Sequence, residues 1–263
     1  MQIKIGSILY VGGDSQFRLS PPVQGLESPA IRVGDGLYAG RDGGFVSGHF
    51  YGHRTIVING FYIGADCEEA SELREVLFGL LRIRYLHPIV ITTATHNWYT
   101  EGVVTNVKAD IENLVSGKYQ ITLLCPDPIL YRLNDGSTDP ATIRTSKTMS
   151  IQSGEGTLII DSASSVDTYP IISWNGRIQG FSATNETTGK AFAVDDSLPS
   201  GQTVIDFSKR TIIVDDVCYN SHRLASSEWW PLIPGENIIT FTNTSGNNNS
   251  GSFRYVKEAR GGI

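Results

Sequence analysis

The chain has too few cysteines for a disulfide framework. Its three, Cys67, Cys125 and Cys218, are odd in number and far apart, which excludes the stapled scaffolds of small secreted domains. Charge is sparse: 21 Lys and Arg against 27 Asp and Glu leave a net charge of −6. That balance argues against a dedicated binder of nucleic acid or of an anionic membrane. No apolar run reaches the ~18 residues that a membrane-spanning helix needs. The opening stretch Met1 to Tyr10 lacks a long apolar region with a small-residue cleavage site, so synthesis and folding in a cytoplasm are expected.

Catalytic signatures are equally scarce. His49 and His53 are four apart, but Gly48, Gly52 and strand-like neighbours argue against the helix on which such a pair would bind zinc. The run Gly44-Phe45-Val46-Ser47-Gly48 misses a nucleophile elbow by one position. Gly34-Asp35-Gly36 lacks the preceding strand, the following helix and the third glycine of a dinucleotide fingerprint. Asp195-Asp196 and Asp215-Asp216 read as polar strand ends, because adjacent strand residues face opposite ways. His87, His96 and His222 are isolated in the sequence. The expectation is a protein that is not an enzyme, with no catalytic residue, no cofactor and no metal.

What the chain does have is 263 residues that are 40% hydrophobic, enough for a sizeable core and two modest domains. One helix stands out. Asp66 is a candidate N-cap with Glu69 three residues on, the carboxylate form of a capping box. Leu73, Val76, Leu77, Leu80 and Leu81 recur at helical spacing. Glu68, Glu69 and Glu72 load the first turns, Arg82 and Arg84 close the last, and His87-Pro88 stops it.

Elsewhere the pattern is β. Strands are expected over Ile3–Val11, Phe45–Tyr51, Thr55–Tyr62, Ile89–Thr93, Trp98–Val107 and Lys118–Cys125. Tyr119, Ile121, Leu123 and Cys125 share one face of the last. Residues 12–44, rich in Gly, Pro and Asp, read as extended chain and turns, the mark of a functional arm. A linker around Asn134-Asp135-Gly136-Ser137 divides an N-terminal domain, 1–133, from a second, 134–263. The second reads as an antiparallel sandwich: short strands at regular spacing separated by turns such as Asn175-Gly176. Residues 243–251 read as a polar loop, after which Ser252–Lys257 either completes the sandwich or returns to the first domain. Within Trp229-Trp230-Pro231-Leu232, one of two adjacent rings is expected to be exposed. Trp229 and Trp230 therefore carry an alternative reading, a carbohydrate-binding module or host-surface adhesin.

Two blocks together resemble a known pattern. The first runs from Gly44-Phe45-Val46 through Arg54-Thr55-Ile56-Val57-Ile58-Asn59-Gly60 and the helix to Cys125-Pro126-Asp127-Pro128-Ile129-Leu130-Tyr131. The second joins Tyr169-Pro170-Ile171-Ile172, Thr203-Val204-Ile205-Asp206 and Arg210-Thr211-Ile212-Ile213-Val214 to Trp230-Pro231-Leu232-Ile233-Pro234-Gly235-Glu236-Asn237-Ile238-Ile239. In this order they resemble distal tail proteins of long-tailed siphophages, of the kind with a galectin-like C-terminal domain. The resemblance implies a mainly β fold with one α-helix: an N-terminal ring-forming β domain carrying the amphipathic helix, then a galectin-like antiparallel β-sandwich. It also implies a structural virion protein at the phage tail tip. Its copies would form a ring, hexameric in the family, that joins the tail tube to the tip or baseplate and lets DNA pass. The implied partners are copies of itself, the major tail tube protein, a tail-tip or tail-associated protein and a receptor-binding protein, with neither a membrane nor stably bound nucleic acid. A ring needs one patch to meet a different one on the neighbour. The Gly43–Tyr51 arm, with Phe45, Val46, His49, Phe50 and Tyr51 as its contact residues, suits that reach.

Overall fold

Where apolar and polar residues alternate the chain forms sheet, and where apolar residues recur every three or four it forms its α-helix. The computed structural model describes all residues except 8, 38–41, 43, 83–84, 135, 152–153, 197 and 247–248. It divides into two units, Met1–Pro140 with Arg260–Ile263, and Ala141–Ala259. Among the described residues the protein is mainly β with a single α-helix, the expected class.

The first unit contains β1 (Gln2–Ile5), β2 (Leu9–Gly12), β3 (Phe17–Leu19), β4 (Ile31–Leu37), β5 (Gly44–Tyr51) and β6 (Arg54–Ile63). After α1 (Cys67–Gly79) come β7 (His87–Thr92), β8 (Asn97–Ile111), β9 (Ser116–Cys125) and β10 (Leu130–Arg132). The expected strand Ile3–Val11 is instead the hairpin β1–β2, in which Ile3 pairs with Val11 and Ile5 with Leu9. The main sheet runs β2-β1-β7-β8-β9-β6-β3, antiparallel throughout. β8 serves three partners, with Asn97–Gly102 on β7, Val103–Ile111 on β9, and Trp98 and Tyr99 also opposite Arg132 and Tyr131 of β10. Tyr119, Ile121, Leu123 and Cys125 all face inward, meeting Ile56 and Ile58 in one core. Burial pushes the Cys125 thiol pKa up to about 11, so it stays protonated as a small apolar side chain.

The helix is capped as its sequence requires. The Asp66 side chain accepts from Glu69 N at 2.9 Å. Glu69 in turn takes the amide of Ala65, one residue before the cap, and also accepts from Gln16 Nε2 at 2.6 Å. The buried stripe is narrower than the expected one. Ala70, Leu73, Leu77 and Leu80 are buried, whereas Val76 is 39% and Leu81 41% exposed. The α-helix ends at Gly79 and tightens into a 3-10 turn over Leu80–Arg82, so its last turn holds no basic residue. Arg84 lies outside the described residues.

The second unit has β11 (Arg144–Ile151), β12 (Gly154–Ser162), β13 (Ile171–Gly176), β14 (Ile178–Gln179), β15 (Ser182–Asn185) and β16 (Lys190–Ala193). It continues with β17 (Gly201–Asp206), β18 (Thr211–Val214), β19 (Val217–Cys218), β20 (Gly235–Asn243), β21 (Ser245–Gly246) and β22 (Asn249–Val256). One sheet is ordered β11-β22-β13-β17-β18-β19 and the other β12-β20-β15-β16. Ile172, Trp174, Ile205 and Phe253 of the first share a core with Ile160, Ala183, Phe192 and Phe241 of the second. This is a sandwich, each sheet burying alternate residues against the other. β22 lies between β11 and β13, so the last long strand completes the sandwich. The expected polar loop is largely strand: Ser245–Gly246 pairs with β14 and β22 begins at Asn249. Asp215 and Asp216 form a turn, not a strand end. Their φ angles of 46° and 65° give the left-handed pair that a tight β18–β19 hairpin needs, and Asp215 Oδ1 accepts from Gln202 N at 2.8 Å.

The Pro234-Gly235-Glu236-Asn237 run has a mechanical role. Asn237 is fully buried; its Oδ1 accepts from Ile233 N at 3.0 Å, and its Nδ2 donates to Ile233 O at 2.8 Å and to Gly235 O at 3.0 Å. One side chain thereby closes the turn that aims β20 into the sheet.

Candidate functional site

The arm is a hairpin. Among the described residues β4 and β5 pair only with each other, in a two-stranded sheet apart from the main one. Ile31 stands opposite Tyr51, Arg32 opposite Phe50 and Val33 opposite His49, and the register shifts between Val33 and Gly34. Directly opposed residues share a face and neighbours along a strand do not. Ile31 and Tyr51 thus lie on one face and Phe50 on the other. Exposure is high on both: Phe50 71%, Ile31 55%, Val33 45% and Tyr51 44%. Of the expected contact residues, Phe45, Val46, His49, Phe50 and Tyr51 all fall on β5. The side chains of Phe45, Val46 and His49 lie outside the described residues.

The hairpin's root is held by a residue that the motifs did not single out. Arg54 leads the inward alternation Arg54, Ile56, Ile58 and is 2% exposed. Its guanidinium donates to four backbone carbonyls: Nε to Pro128 O at 2.8 Å, Nη1 to Gly25 O at 2.5 Å and Glu27 O at 2.8 Å, and Nη2 to Gly261 O. Burial lowers its pKa from the ordinary value, an effect opposed by the neighbouring Cys125, Glu27 and Asp127. A buried charge is tolerated only when its donors are satisfied, and four charge-assisted bonds do that here. The Cys125–Tyr131 motif supplies one acceptor. Asp127 shapes its turn, accepting from Ile129 N at 3.0 Å and Tyr131 OH at 2.8 Å, which presents Pro128 O to Arg54. Gly52 N closes the root by donating to Ala30 O at 2.8 Å.

The other candidates offer less. Trp230 is fully buried, its indole donating to Ala183 O at 3.1 Å, so it has no free face for a sugar. Trp229 is half-buried against Phe192 and Phe207, with ring centroids 4.6 and 5.5 Å away. His222 is not isolated: its Nδ1 lies 3.0 Å from Asp195 Oδ1, and Asp195 N donates to His222 O at 2.9 Å. His87 is buried and His53 exposed, on no shared helix with His49. Among the described residues no three His, Cys, Asp or Glu side chains gather as a metal site. A groove of about 310 Å³ on the main sheet is lined by Asn59, Phe61, Lys108, Lys118 and Gln120, with Gln120 bonded to Asn59 at 2.9 Å. Ser20 and Asp110 also line it, and among the described residues no hydrogen bond joins them.

Comparison with known proteins follows this geometry. Residues 163–256 match the family described as siphovirus-type tail component, C-terminal domain. The solved structure of Dit from phage SPP1, described as a paradigm of the hub adsorption apparatus in phages infecting Gram-positive hosts, superposes with a TM-score of 0.65 at 16% identity. It spans 90% of this chain and 91% of that one. A chain of the phage P2 baseplate in its activated conformation with Ca aligns over 96% of this chain and 97% of that one. Its TM-score is 0.42 at 10% identity, below the level at which a shared fold follows. No curated protein matches the sequence.

Proposed function

We propose that this chain, a siphovirus tail component whose residues 163–256 belong to the tail-component C-terminal domain family and whose fold is that of SPP1 Dit, is a structural hub that assembles with copies of itself into a closed ring through the β4–β5 hairpin. The observation that carries this reading is the hairpin's composition. A two-stranded ribbon is marginal in water, yet this one presents Phe50 at 71% and Ile31 at 55% exposure. Such an element gains stability when covered. A ring covers it repeatedly, because each copy offers its hairpin to one neighbour and receives another from the opposite side.

In this reading the ring joins the tail tube to the tip or baseplate, its role is mechanical and not catalytic, and its lumen passes DNA. The net charge of −6 suits a passage that must not retain a polyanion by counterion release. The test is the solution mass of the purified protein with negative-stain images, beside a variant lacking residues 36–50. Rings from the full chain and monomers from the variant are expected. Normal rings from the variant would remove the hairpin from the contact.

A further inference from the structure

Residues 260–263 are seated against the root of the hairpin. Arg54 Nη2 donates to Gly261 O, and Ile263 N donates to Leu26 O at 2.9 Å. A Cβ on Gly262 would stand 2.8 Å from both the carbonyl carbon of Glu27 and the amide nitrogen of Ser28. Backbone therefore lies against backbone with no room for a side chain. A Cβ on Gly261 would stand 3.6 Å from Pro29 Cδ and 3.7 Å from the Tyr51 hydroxyl. The same guanidinium holds the carbonyls of Gly25 and Glu27, just ahead of β4, and it sits three residues after the end of β5. Both strands of the hairpin thus enter it from chain fastened at one point.

We propose that Arg54 and the segment 260–263 are positioning elements for assembly, fixing the direction in which the β4–β5 hairpin leaves its unit to meet the next copy. Among the described residues the hairpin pairs with no other strand, so its direction is set at its root. The four acceptors of Arg54 lie in turns and connecting segments, not in the main sheet. What loosens first when the clasp opens is therefore the loops and the hairpin they carry. This inference rests on the proposed ring.

The test compares the full-length protein with Gly262→Val, which forces the segment off residues 27–28, and with Arg54→Lys, which keeps the charge but loses the guanidinium fork. Gly79→Ala is the control, since a Cβ there meets nothing within 4 Å. Amide hydrogen exchange over residues 44–52 is measured on dilute, unassembled protein, and the assembly midpoint is read from solution mass. Gly262→Val is expected to speed hairpin exchange at least tenfold and to raise the assembly midpoint by a similar factor. Arg54→Lys should fall between it and the wild type, and Gly79→Ala should match the wild type. Exchange in the hairpin unchanged in both variants overturns the positioning role. So does an unchanged midpoint while the wild type forms rings. Should the wild type never associate, the ring reading fails on its own, and the exchange data still decide whether the clasp holds the hairpin.

Discussion

Replacing Phe50 by Ser removes the most exposed of the hairpin's described rings without touching either core. Fully burying a Phe side chain is worth ~1.5–3 kcal/mol. Phe50 is 71% exposed, so covering the remainder would contribute about 1–2 kcal/mol at each contact between copies. That corresponds to roughly 5- to 30-fold in an association constant. The assay is a dilution series followed by mass photometry or sedimentation, reading the concentration at which assemblies give way to single chains. The midpoint should rise by that factor in Phe50→Ser while the melting temperature stays put. Leu114, 82% exposed between β8 and β9, provides the comparison, because Leu114→Ser removes as exposed an apolar group elsewhere. Superimposable dilution curves for wild type and Phe50→Ser would refute the reasoning, as would an equal shift in both variants.

Other outcomes follow from the two cores. Trp230→Ala should destabilise the second unit by ~3–5 kcal/mol for the lost ring, with about 1 kcal/mol more for the abandoned Ala183 carbonyl. An unmoved urea transition would contradict the burial assigned to it. Alkali should loosen the first unit. Cys125 has a folded pKa of about 11 against an ordinary 9.0, and burial raises the Tyr119 phenol too. The folded state thus keeps protons that the unfolded chain releases. The stabilisation is complete below pH 9 and disappears as pH climbs toward 11, by roughly 2–3 kcal/mol for the thiol. Urea midpoints at pH 8, 10 and 11 measure this, and Cys125→Ala should flatten the part due to the thiol; a midpoint independent of pH would be fatal to it.

Much of the framework was legible because it is written in local periodicity. Asp66 and Glu69 marked the start of the helix, and the alternation of Tyr119, Ile121, Leu123 and Cys125 marked an inward strand face. What escaped depends on distant partners. The chain over 31–37 reads as turn because Gly34 and Gly36 interrupt it, and it becomes strand only through pairing with β5 across a register shift. Val76 and Leu81 fit the helical stripe yet remain exposed, since the core buries Ala70, Leu73, Leu77 and Leu80 and takes part of Phe78. Arg54 carried a clue that residue type obscured. It shares its parity with Ile56 and Ile58, so the alternation that buried them required it to be buried as well. No sequence rule pointed to its acceptors, which are main-chain oxygens between 27 and 207 positions away. Trp230 was one of an ambiguous pair, and only the sheet decided which ring turned inward.

The choice of acceptors around Arg54 has a consequence for endurance. Peptide oxygens do not take up protons in mild acid, and a dry pocket keeps small ions at a distance. A fastening made this way depends less on salt and acid than a direct carboxylate partner would, with Asp127 acting one step back through the turn that presents Pro128 O. In the proposed tail assembly, which would wait outside a cell in whatever fluid it meets, that tolerance would matter.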